Sequence, residues 1–134
     1  MLAYTYISPG KFKLINKPKP ELQCPRDAIV RITLGNICTS DLHIKHGSIP
    51  RAVPGLTVSH EWLAFFEAVG SEVSNVKVGG VDGCDCEEIL SIIGAGKIDT
   101  TPLITHRYKL ANIAEAYHLF ENKLDGVIKV AVEP

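Results

Sequence analysis

Long apolar runs are missing from this chain. Nowhere among its 134 residues is there a stretch near the roughly 18 apolar residues that a membrane-crossing helix needs. The opening segment, Met1-Leu2-Ala3-Tyr4-Thr5-Tyr6, lacks the charged, apolar and cleavage regions of a secretory signal. A cytoplasmic protein without a membrane role is therefore expected. An excess of either charge is missing too: 14 basic residues face 15 acidic ones, mixed along the chain, for a net charge of -1. That balance gives no electrostatic reason to expect nucleic acid or an anionic membrane as partner, and leaves small neutral molecules open. No G-x-G-x-x-G follows a strand-like segment. The nearest imitation, Gly94-Ala95-Gly96, closes a helical pattern rather than opening one, so it cannot aim backbone N–H groups at a pyrophosphate. Repeats and low-complexity tracts are absent. Cysteines number four, at 24, 38, 84 and 86; with nothing pointing to secretion, disulfides are not their expected use.

What is present is enough for one core. A 46% hydrophobic content in 134 residues suits a single domain of ordinary size. The first third reads as β structure: Tyr4 to Ile7 and Lys11 to Ile15 flank a Pro9-Gly10 turn, and Asp27 to Leu34 alternates polar and apolar side chains. Ser40 to Lys45 predicts a short helix that presents Cys38 at its start, with Thr39 or Ser40 as cap and Asp41 suited to the positive end of the helix dipole. Thr57 to Val69 is long enough for a strand, and its dense run Trp62 to Phe66 suggests burial on both faces, ending at Gly70. Around Gly79-Gly80 the pattern changes to helix. Glu87 to Ala95 closes near Gly94 and Gly96; then Asn112 caps Ile113 to Glu121, where Ile113, Ala116, Tyr117 and Phe120 share a face. After Gly126, Val127 to Val132 predicts a last strand with Lys129 pointing away from its apolar neighbours.

Cys38, His60 and Glu61 offer a thiolate, an imidazole and a carboxylate, a donor mixture that suits tetrahedral zinc. Taken on chemistry alone, the trio is weak. Cysteine is often a small buried core residue, and adjacent His-Glu pairs are common on strand surfaces. On a strand, moreover, His60 and Glu61 point to opposite faces, and both reach one ion only through a local bend or by exchange.

The wording around those residues is more specific. Gly35-Asn36-Ile37-Cys38-Thr39-Ser40-Asp41-Leu42-His43 resembles the first zinc-ligand motif of medium-chain zinc-dependent alcohol dehydrogenases. Ser59-His60-Glu61-Trp62, followed by Val69-Gly70-Ser71-Glu72-Val73, resembles their His-Glu motif and the strand and turn after it. Pro18-Lys19-Pro20 and Ala28-Ile29-Val30-Arg31 are similar to the family's opening segment, while residues 98–107 and Asp125-Gly126-Val127-Ile128-Lys129 are similar to its C-terminal end. The resemblance covers nearly the whole chain in two pieces, 1–80 and 87–134, with a junction near 79–86.

The resemblance implies a mainly β fold with short helices (α+β): a GroES-like, partly open β-barrel completed by a C-terminal helix and strand, as a single domain over 1–134. It implies Cys38 and His60 as zinc ligands and Glu61 as a ligand or near neighbour. Ser40 becomes the hydroxyl that bonds the substrate oxygen and relays its proton, and His43, ahead of His46, the histidine placed to line the substrate cleft. In the full-length family, NAD(P) accepts or gives hydride against a small alcohol or carbonyl substrate, and its binding domain occupies the middle of the chain. Here that portion is replaced by the junction, so negligible turnover is expected from the chain alone. The four-cysteine lobe of a second, structural zinc is absent as well. Asp82, Cys84, Asp85 and Cys86 beside the junction offer a substitute ligand if the chain folds back, or else form a linker with inert thiols. Ser59 stands where the family has a glycine before the His-Glu pair, and Ala64 where it has one three residues after, both bearing on backbone geometry at the ligands. The alternative reading is a non-catalytic metal-binding or assembly module with a chaperonin-cap-like barrel, self-associating through an exposed former interdomain surface.

Overall fold

Alternation on either side of Pro9-Gly10 produces a hairpin in the computed structural model, which describes residues 1–80 and 86–134 and the side chains of all of these except 86–88. Strand β1 (Leu2–Ser8) pairs antiparallel with β2 (Lys11–Asn16), Tyr6 opposite Phe12. Gly10, at φ 77, supplies the positive φ that so tight a turn requires, and its N–H reaches the Lys45 carbonyl at the end of the first helix.

Four strands make the second sheet, in the order β4-β3-β6-β5. The ten-residue β3 (Ala28–Ile37) is its spine. Most of its length pairs antiparallel with β4 (Trp62–Val69), and its last residues pair antiparallel with β6 (Lys129–Glu133), Ile37 opposite Val130. β6 in turn runs parallel to β5 (Ile104–Lys109). Parallel neighbours need a crossover, and helix α3 (Ile113–Glu121) provides it. Helix α1 (Thr39–Lys45) follows β3 directly, and α2 (Cys86–Gly94) lies between β4 and β5 in sequence. At Gly70 an added Cβ would stand 2.1 Å from the Pro25 carbonyl oxygen, so only glycine lets the chain leave β4 there.

The core forms where the hairpin, α3 and the C-terminal strand meet. Tyr6, Ile37, Val58, Ile113, Ala116, Tyr117, Val130 and Val132 are buried together. Tyr4, Phe12 and Tyr117 stack within it, with Phe12 edge-on to both tyrosines at centroid distances of 5.4 and 5.5 Å. The architecture is mainly β with short helices, in open sheets rather than a closed barrel. Among the described residues no helix is long and apolar enough to cross a membrane.

Most sequence expectations match the elements found, and the differences are physical. The strand expected from Thr57 begins only at Trp62; before it, Thr57 makes an isolated bridge to Thr5, and residues 58–61 are irregular. Burial on both faces of 62–66 does not occur: Phe66 is 8% exposed, but Trp62 and Leu63, neighbours on opposite faces of the strand, are 47% and 65% exposed, so neither face is covered at the start of β4. Asn112 sits at the start of α3 without a side-chain cap bond, since a 3-10 turn over Leu110–Asn112 already leads into the helix. At α1 the capping residue is Cys38 itself, paired with Asp41, rather than Thr39 or Ser40. Gly94-Ala95-Gly96 closes α2. Gly96 at φ 69 bonds back to Ile93, and Lys97 to Ile92, which is a Schellman ending. Strand β5 was not anticipated, although Ile104, His106 and Tyr108 alternate inward along it.

Candidate metal centre

β3 delivers Cys38 to the start of α1, where free backbone N–H groups gather. Asp41, one turn later, turns back: its Oδ2 accepts the Cys38 N–H at 3.0 Å while the Cys38 carbonyl accepts the Asp41 N–H at 3.0 Å. Asp41 is fully buried. A carboxylate without water must find donors in the protein, and it also accepts the Ser59 N–H at 3.3 Å on Oδ1. The same oxygen lies 3.7 Å from His60 Nδ1, so the carboxylate faces the imidazole. From α3, the Tyr117 hydroxyl is hydrogen-bonded to Asp41; burial first, and then this carboxylate, hold its phenol far above the ordinary range. Of the two roles open to it, holding the loop by its carboxylate or a plain cap at the surface, Asp41 therefore takes the first: it caps α1 from a buried position and anchors three segments.

His60 and Glu61 lie in the irregular stretch before β4. Ser59 has φ 95, and this left-handed kink is the bend the sequence required for the pair to share one side. The Glu61 carbonyl accepts the Asn36 N–H at 3.0 Å, which fastens the pair to β3. Donor atoms of Cys38, His60 and Glu61 all lie within 4.8 Å of one another. Bonds of about 2.0 to 2.3 Å to zinc place tetrahedral ligands roughly 3.5 Å apart, so small side-chain rotations close this triangle on one ion. The residues fit zinc in number and kind.

Glu61 already has company. Lys129 Nζ on β6 donates to its Oε2, and the Cys38 thiol is hydrogen-bonded to it; the lysine bond is the largest cause holding the Glu61 carboxyl below its ordinary value, against an opposing push from burial. Ser40 Oγ is 3.7 Å from Cys38 Sγ, beside the ligand cluster. His43 is exposed on α1 and stands outside the cluster. His46 is bonded instead to Glu121 at 2.8 Å, with Lys45 on the other oxygen of that carboxylate. His106 bonds Thr105 and Asp125 between β5 and the last turn. Residues 82–85 and the Cys86 side chain lie outside the described part. Lys129, Asn36 and Tyr117 were missed as members of the site. Only Lys129 carried any signal, a cation breaking an apolar strand.

An apolar cavity of about 810 Å³ is walled by Met1, Ile32, Asn36, Ser59, Trp62 and Pro134 among others, while Cys38, His60 and Glu61 do not line it.

With this geometry in place, the likeness to known proteins becomes informative. The family described as alcohol dehydrogenase GroES-like domain matches residues 24–98. An alcohol dehydrogenase of Cupriavidus necator is 36% identical over 94% of the chain, and an uncharacterized zinc-type alcohol dehydrogenase-like protein of Bacillus subtilis is 35% identical over 59% of it. Among solved structures, the apo form of zinc dependent alcohol dehydrogenase 2 from Streptococcus pneumonia superposes with a TM-score of 0.57 at 36% identity, covering 66% of this chain and 28% of that one. An alcohol dehydrogenase from Thermus sp. ATN1 gives a TM-score of 0.55 at 32% identity, with the same coverage. The match spans only part of the curated relatives' length, 36% of the Cupriavidus enzyme and 21% of the Bacillus protein.

Proposed function

The chain belongs to the alcohol dehydrogenase GroES-like domain family, and from that premise we propose that it is the substrate-side domain of a zinc-dependent alcohol dehydrogenase, holding zinc through Cys38, His60 and Glu61. The observation that carries the reading is the meeting of these three donors within 4.8 Å from two separate segments of chain. When bound, zinc supplies a Lewis acid that acidifies an alcohol or polarises a carbonyl.

The chain's own groups divide the remaining work. Asp41 orients His60, and Lys129 keeps Glu61 ionised and in place. Ser40 Oγ, next to the Cys38 sulfur, bonds the substrate oxygen and passes its proton outward, and His43, exposed on α1, lines the substrate cleft. Hydride itself must pass to NAD(P), and none of the residues assigned here binds that carrier. Proximity provides much of the rate in such a transfer, so the isolated chain is expected to hold metal without turning over.

Elemental analysis of purified protein, alongside Cys38→Ala, tests this. Close to one zinc per chain, lost in the variant, together with negligible alcohol-dependent nicotinamide reduction, is the expected result. No zinc in either protein would sink the ligand assignment, and robust turnover by the pure chain would sink the division of labour.

A further inference from the structure

Three residues other than glycine have positive φ among those described: Ser59, Lys123 and Asp125. Lys123 and Asp125, at φ 53 and 50, sit near the centre of the left-handed well in the loop after α3. Ser59, at φ 95, lies well outside that well and immediately precedes His60. Such a conformation persists only where the surroundings fix it. Here they do so through its N–H and its hydroxyl. The Ser59 N–H is held by Asp41 at 3.3 Å, and Ser59 Oγ reaches the Asn36 carbonyl at 3.3 Å and the Glu61 carbonyl at 3.5 Å. Asn36 answers with its own N–H to the Glu61 carbonyl at 3.0 Å. The turn is thus fastened across to β3 at two points, by the Ser59 hydroxyl and by the Glu61 carbonyl.

We propose that Ser59 is a positioning residue, whose hydroxyl pins the kinked turn to β3 and so keeps the His60 and Glu61 side chains on the Cys38 side. A glycine would enter this φ without steric cost but would leave the turn free to relax. An alanine would keep the cost and lose the pin. Metal affinity and stability therefore respond separately, which a merely structural role would not produce. The proposal rests on the reading of Cys38, His60 and Glu61 as metal ligands.

The test compares wild type, Ser59→Gly and Ser59→Ala by zinc(II) competition with a chromophoric chelator, by the cobalt(II) visible spectrum, by thermal melting, and by hydrogen exchange of the Asn36 amide in metal-free protein. Ser59→Gly is expected to melt no lower than wild type yet to bind zinc about 10-fold more weakly, the size of loss usual when a ligand's support is removed. Ser59→Ala is expected to melt lower and bind at least as weakly, and in both the Asn36 amide exchanges faster. Should alanine fail to fold, glycine alone carries the comparison. Wild-type zinc affinity and Asn36 exchange in Ser59→Gly would overturn the proposal. A wild-type chain that takes up no zinc would remove the ligand reading instead, and Asn36 exchange would then decide on its own whether the hydroxyl pins the turn.

Discussion

Cys38 reaches the ligand cluster at the junction of a long strand and a helix, whereas His60 and Glu61 reach it on irregular backbone behind a strained serine. The first route is local. Strand alternation, a helix start and a capping carboxylate three residues on place the thiol, all within one short segment. The second route is borrowed from elsewhere: Asn36 on β3, Asp41 on α1 and Lys129 on β6 hold residues that no regular ladder holds. A ligand on regular structure is secured by many small terms, while one on irregular backbone depends on a few long-range bonds and fails when one is cut.

Asp41 serves both routes, so its removal is expected to have the largest effect. Asp41→Ala leaves the Cys38 and Ser59 N–H groups and the Tyr117 hydroxyl without their acceptor, and should cost about 3 kcal/mol in urea denaturation. A loss below about 1 kcal/mol would show that the two routes do not share an anchor.

Tyr117→Phe is milder, because the ring stays packed against Tyr4 and Phe12 while only the hydroxyl on Asp41 is lost. About 1 kcal/mol is expected, measured the same way. Tyr4→Phe, which leaves Asp41 untouched, is the matched control.

Lys129→Met acts on the second route alone and should change stability least, by under about 1 kcal/mol, since both partners are about a third exposed. Its signature is in pH. The Glu61 carboxyl lies below its ordinary value of 4.5 in the folded chain, chiefly through the Lys129 bond. The stability this contributes is complete above that ordinary value and is lost as pH falls through the folded one. Wild type and Lys129→Met should therefore differ by a constant amount near neutrality and converge in acid. In NMR titration the Glu61 carboxyl of the variant should move up toward 4.5. An unmoved titration would show that the pair is incidental.

Much of this was legible in the order of residues. The hairpin announces itself by Pro9-Gly10 between alternating runs, and α3 by the spacing of Ile113, Ala116 and Tyr117. The ligand trio was legible as chemistry and spacing, through the motifs around Cys38 and His60. The beginning of β4 was not, because Thr57 to Glu61 carries side chains that suit a strand, and only the kink at Ser59 interrupts it. β5 escaped notice because its inward positions include His106 and Tyr108, whose polar atoms disguise the alternation.

By itself, then, the sequence determined which side chains could bind a metal and which stretches prefer strand or helix, since donor chemistry and side-chain period are properties of neighbouring residues. Only the tertiary structure decided that Asp41 is buried rather than a surface cap, that Ser59 takes the bend allowing His60 and Glu61 to act together, and that Lys129, 68 residues along the chain, meets Glu61. Burial and pairing of charges depend on which strands lie side by side, and that is settled when β6 docks on the end of β3.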